Sequence, residues 1–184
     1  MKKHITWILL LLMAQATNAQ NLPTDRGYRQ PLGVPFGSDY HTIRQACQAT
    51  LGEPDYADST AIIYYNNSYR DQAFAYIAFG IQYNSAGDGF YNQCTMMLPP
   101  TPSVDAANND IERLFTLMKP DYKPSEITRT SNRYGWLQYT GGKDPTDDDN
   151  VFFTIAKDEK TDAETGTILY SPYITYGPFE FTRK

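Results

Sequence analysis

The side chains best suited to chemistry are carboxylates. Glu53, Asp55, Asp71, Asp88, Glu126 and Asp158 all read as loop or strand-end residues, and two acids facing each other across a sugar, roughly 5–9.5 Å apart, would hydrolyse a glycosidic bond. Nothing in their spacing pairs any two of them. Histidine chemistry has one candidate beyond the first turn of the chain, His41, and no Gly-x-Ser-x-Gly turn accompanies it. A single such histidine also rules out a zinc protease motif, and the nucleotide-binding glycine loops are missing. The acidic stretch Asp144-Pro145-Thr146-Asp147-Asp148-Asp149-Asn150 offers oxygen ligands, but it lacks the glycine and the closing glutamate of a calcium loop. It reads as a solvated loop, and no metal or cofactor is expected.

Two other residue types carry more information. The chain has two cysteines, Cys47 and Cys94, and an even pair in an exported protein predicts a disulfide between them. It also has 15 tyrosines, nine phenylalanines and two tryptophans. Tyrosine and tryptophan anchor protein interfaces because each supplies a large contact area, a polar tip and few torsions to freeze. They also stack on sugar rings.

Export is read from the first nineteen residues. Lys2 and Lys3 precede an apolar run from Ile5 to Ala14, and small residues follow at Ala16 and Ala19, the order of a cleaved secretory signal rather than a membrane span. Cleavage after Ala19 is expected. It removes two lysines and no acid, so the formal net charge of −5 becomes −7. A chain this acidic, without a basic cluster, is a poor match for nucleic acid or an anionic membrane surface. The expected location is periplasmic or secreted, without membrane insertion once the signal is cleaved.

The elements that position these residues follow from periodicity. Residues 20–37 hold Pro23, Gly27, Pro31, Gly33, Pro35 and Gly37 and predict an extended arm or linker. A single domain over 38–184 follows. Tyr40, Ile43, Cys47 and Leu51 form a helical stripe stopped by Gly52-Glu53-Pro54. Strand-like runs come at 61–65, 73–83 and 90–98, separated by turn compositions. The order then repeats. Ser103 caps a helix whose stripe is Val104, Ala107, Ile111, Leu114, Phe115 and Met118, and strands follow at 134–140, 151–156 and 167–176. This predicts an α+β domain of two pseudo-repeats, 38–99 and 103–177, each a helix plus three strands, sharing one antiparallel sheet. Within the repeats Ile62-Ile63-Tyr64-Tyr65 matches Trp136-Leu137-Gln138-Tyr139, and Phe74-Ala75-Tyr76-Ile77 matches Phe152-Phe153-Thr154-Ile155.

The helices of such a domain cover one face of the sheet. Strict alternation places Tyr64, Tyr76, Tyr91, Tyr134, Trp136, Phe152 and Tyr173 on the other face. It also turns Cys94 towards the stripe that carries Cys47, which makes a helix-to-sheet disulfide plausible.

Gly37-Ser38 followed by Ile43, Leu51-Gly52-Glu53-Pro54 and Tyr64-Tyr65 form a recognisable opening. It resembles that of the β-lactamase inhibitor protein fold and of the small outer-membrane assembly lipoproteins that share it. The start Pro35-Phe36-Gly37-Ser38, the strand Tyr64-Tyr65-Asn66 and the strand Phe79-Gly80-x-x-Tyr83 also resemble those of exported proteins of Bacteroidetes. The resemblance covers residues 35–98 and reaches the second half only through element order, because Leu117-Met118-Lys119-Pro120 departs from the Leu-Gly-x-Pro exit. It implies a module that binds protein or peptide across an aromatic sheet, without the lipidated cysteine of the lipoproteins. The functional expectation is therefore a non-enzymatic binding module with a protein or peptide partner in the envelope. The alternatives are a carboxylate-dependent hydrolase, carbohydrate-active or otherwise, and a secreted hydrolase inhibitor.

Overall fold

The computed structural model describes residues 20–21, 29–142 and 151–180. The signal segment and the acidic stretch 144–150 lie outside them. The two helices form where their caps and apolar stripes are. Helix α1 (Tyr40–Leu51) starts on Asp39, whose carboxylate accepts from the Thr42 N–H at 2.8 Å, and ends at Gly52, which takes the positive φ of 86°. Helix α2 (Val104–Met118) starts on Ser103, whose hydroxyl accepts from the Ala106 N–H at 3.2 Å, and buries Ala107, Ile111, Leu114 and Met118.

An eight-stranded antiparallel sheet carries both helices on one face, so the domain is α+β. Its first half is β2 (Tyr56–Ala57), β3 (Ala61–Tyr69), β4 (Gln72–Tyr83) and β5 (Gly89–Met97). Its second is β6 (Ile127–Ser131), β7 (Leu137–Gly141), β8 (Phe153–Thr161) and β9 (Ile168–Tyr176). The strand order is β2-β3-β4-β5-β9-β8-β7-β6, so two four-stranded meanders meet at their last strands, β5 against β9. The expected three strands per half become four. The two extra strands are the outer edges: β2 is two residues long, and β6, Ile-Thr-Arg-Thr-Ser, is almost wholly exposed. Neither carries an apolar alternation that periodicity could detect. A separate parallel pair joins β1 (Gln20–Asn21) to β10 (Phe179–Glu180).

The stretch expected as a linker is built into the domain where it is described. Val34 and Phe36 are buried, the Phe36 ring lies 4.4 Å from Tyr91 and 4.5 Å from Phe179, and the Gly37 N–H donates to the Tyr91 carbonyl at 2.7 Å. The halves are also tied by charge. Asp121, just beyond α2, accepts from Arg29 at 2.9 Å and from Arg70, which sits in the β3–β4 turn, and its side chain is only 6% exposed.

Three irregularities decide which side chains face the helices. Asn66 has φ 50°, and the pair Asn66/Ala75 drops out of the β3–β4 ladder, so Asn67 and Phe74 return to the helix face. Asn92 is skipped between Gly80↔Gln93 and Ile81↔Tyr91, which puts Tyr91 on the same face as Cys94. Phe152 precedes the regular part of β8, and its ring packs with Phe36, Tyr176 and Phe179.

Candidate functional site

The sheet face away from the helices is ordered in rows by the register. Tyr65↔Tyr76, Tyr76↔Met97, Met97↔Tyr173 and Tyr173↔Ala156 form one continuous row across β3, β4, β5, β9 and β8. All but Ala156 are half-buried, which leaves their outer surfaces to solvent. The next row is Ile63, Ala78 and then five threonines, Thr95, Thr175, Thr154, Thr140 and Thr128. Thr95 and Thr175 hydrogen-bond each other at 2.9 Å, and Gln93 donates to Thr175 at 3.5 Å, so this inner part of the row is satisfied within itself. Aliphatic side chains seat the phenol rings: Tyr56, Tyr65 and Tyr76 pack over Ala61, Ile63 and Ala78.

The seven aromatic residues expected on this face separate into three places. Tyr76 and Tyr173 are on it. Tyr64, Tyr91 and Phe152 are not; they are fully buried on the helix side. Tyr64 pairs with Ile77 and its hydroxyl donates to the Gly52 carbonyl at 2.9 Å, closing the end of α1. The register also corrects the match between the repeats. Tyr64 pairs with Ile77 as Tyr139 pairs with Ile155, whereas the match set Tyr65 against Tyr139. A slip of one residue turns every side chain of a strand over.

Tyr134 and Trp136 form a third group at the rim of the helix side. Tyr134 is 60% exposed and packs at a tilt against Trp136 with centroids 5.3 Å apart, and the Arg133 guanidinium lies 4.8 Å from the Tyr134 ring. Trp136 meets Tyr170 edge-on at 6.4 Å, and the Lys157 ammonium sits 5.6 Å from the first ring and 5.7 Å from the second. Lys157 is 4% exposed and donates to Asn108 Oδ1 on α2 at 2.5 Å. Burial pulls its pKa down, against the nearby charge of Asp105. Among the described residues the partners of Trp136 are thus a cation and two rings, not a pair of facing carboxylates.

Tyr65, Met97 and Asp158 complete the open face, and alternation did not single them out for it. Asp158 is not at a strand end; it pairs with Ser171 well inside β8, diagonal to Tyr173 across the β8–β9 ladder. Burial pushes the Tyr173 phenol up to about 12, and the Asp158 charge adds to this. Tyr76 is raised chiefly by burial too, with Asp158, Tyr173 and Tyr65 contributing. Tyr65 is raised by burial and by Asp55, and its hydroxyl is buried without a hydrogen-bond partner.

The cysteines correct a further expectation. Cys47 and Cys94 lie in the same core as free thiols, with no bond between them. Burial pushes the Cys47 thiol up to about 12 and that of Cys94 well above its ordinary value. Both therefore behave as apolar packing residues.

Among the described residues no group of three or more potential metal ligands gathers, and no helix is long and apolar enough to cross a membrane. No family model, curated protein or solved structure matches the chain.

Proposed function

We propose that the protein is an exported, non-enzymatic binding module that holds a protein or peptide partner on the open face of its sheet, on a scaffold of the β-lactamase inhibitor protein type. One observation carries this reading. Tyr65, Tyr76, Met97 and Tyr173 lie in a single cross-strand row, half-exposed, on the face that neither helix covers. Rings and a thioether on a rigid sheet supply contact area at little entropic cost. The experiment is site-specific photo-crosslinking from position 76 in the cell envelope, with Thr116 on α2 as the control position, followed by purification of the adduct partner and an affinity measurement. The double substitution Tyr76→Ala/Tyr173→Ala should weaken that affinity at least about tenfold while the protein stays folded. Unchanged affinity would remove the open face from the reading.

A second reading, a carbohydrate ligand, has its own support in the exposed Tyr134 ring packed at a tilt against Trp136 beside Lys157 and Asn108. Glycan-array binding that disappears in Trp136→Ala and survives in the Tyr76/Tyr173 double variant would favour it.

A further inference from the structure

The open face combines three features that point to one kind of contact. The first is the row itself: Tyr65, Tyr76, Met97 and Tyr173 stand on four neighbouring strands, a span of about 14 Å at the usual strand spacing. The second is Asp158, diagonal to Tyr173 on the same face. Among the described residues its carboxylate accepts only from the Glu159 N–H, at 3.0 Å, and pairs with no cation. Lys160, the next residue of β8 on this face, is exposed and acts on Asp162. The third is the charge of the whole chain, −5, which repels acidic partners and favours basic ones.

These features select a cation. The face of a phenol ring is negative and attracts ammonium and guanidinium groups, most strongly where water is displaced. A carboxylate among half-buried rings has lost part of its hydration, and a cation on the partner restores what was lost. The phenols are protonated at neutral pH, as an ordinary phenol already is, so they present neutral ring faces and do not compete with Asp158 for the role of counter-ion. Met97, in the middle of the row, adapts its shape to whatever the rings leave open.

We infer that the open face recognises a lysine or arginine side chain of an extended partner segment, seated against Tyr76 and Tyr173 and paired with Asp158. This rests on the reading of the open face as the binding surface and names the chemistry it selects.

The test is a calorimetric titration of the full chain with three synthetic peptides of alternating sequence: glycine–lysine, glycine–acetyllysine and glycine–glutamate. The lysine peptide should bind, the other two should bind at least about tenfold more weakly, and the difference should shrink as salt is added. Asp158→Asn should weaken the lysine peptide about tenfold, whereas Asp110→Asn, which removes a charge paired with Arg113 on α2, should leave it unchanged.

Equal binding of the three peptides, no binding of any, or an unchanged affinity in Asp158→Asn would overturn the inference. The open-face reading would still stand if the Tyr76/Tyr173 double variant lost the crosslinked partner. If that variant kept both the partner and the lysine peptide, the face reading and the inference would fall together.

Discussion

The ring of Phe153 lies directly across the α-carbon of Gly141. The two residues pair across β7 and β8, and a methyl group added at position 141 would come within 2.1 Å of the ring. Glycine is required there because of what covers it, an aromatic ring shielding a bare stretch of strand. Gly141→Ala must displace a ring that is fully buried among Tyr122 and Tyr176. The expected loss is about 2–3 kcal/mol in urea unfolding, and Phe153→Leu in the same chain should return part of it. Full stability in Gly141→Ala would show that the ring moves freely.

Asp121 gathers the β3–β4 turn and residue 29 around the end of α2. Its carboxylate is buried, Arg70 is mostly covered and Arg29 is 65% exposed. Asp121→Ala should cost about 3 kcal/mol, because it leaves the Arg70 guanidinium without its counter-ion. A double-mutant cycle should assign most of the coupling to Arg70, since an exposed partner such as Arg29 contributes at most about 1 kcal/mol. Equal coupling to both arginines would contradict the burial difference.

The free thiols predict a labelling pattern. With the Cys47 pKa near 12, only about one molecule in ten thousand carries its thiolate at pH 8, and burial holds the Cys94 thiol well above its ordinary value too. The native protein should resist alkylation. On unfolding without reductant, intact mass should show two labels, whereas a disulfide would show none.

Alkaline stability follows from the tyrosines. Burial raises the phenols of Tyr64, Tyr76, Tyr91, Tyr122, Tyr173 and Tyr176 above the ordinary value of 10.0. The folded state therefore binds more protons than the unfolded chain between the two sets of pKa values. Their contribution is fully present below pH 10 and declines as pH rises through the folded values. Lys157 has the opposite sign, since its lowered pKa makes burial of its charge less costly as pH rises; one lysine does not offset six phenols. Tyrosinate absorbance and loss of circular dichroism should rise together, in one cooperative step beyond pH 10. A gradual absorbance change with structure retained would mean that the rings ionise in place.

Local signals in the chain were enough to locate both helices. Ser103 and Gly52 are caps with known geometry, and the stripes Ile43/Cys47 and Ile111/Leu114/Met118 are the buried ones. The hairpins around β4 and β8 were legible for a similar reason, because turn residues flank apolar runs. The α+β class followed from the element order. The edge strands were not legible, because a two-residue strand and an exposed polar one exist only by pairing with a neighbour.

The aromatic surplus, too, was visible in the chain, and tertiary structure alone decided which rings work as core and which as surface. Two residues left out of a ladder, Asn66 with Ala75, and one skipped at Asn92 change the facing of Phe74 and Tyr91. Such a change leaves no mark in composition, because a strand has a period of two and a single residue reverses it. Tyr64 and Tyr65 are adjacent and identical in type, yet one closes the end of α1 and the other opens the row that leads to Tyr173. Asp158 comes to lie diagonal to Tyr173, beside that row, only because β8 pairs with β9, a contact that no local pattern specifies. The sequence by itself determined both helices, the inner strands and the stock of rings; pairing across strands determined the edge strands and which of the rings stay on the open face.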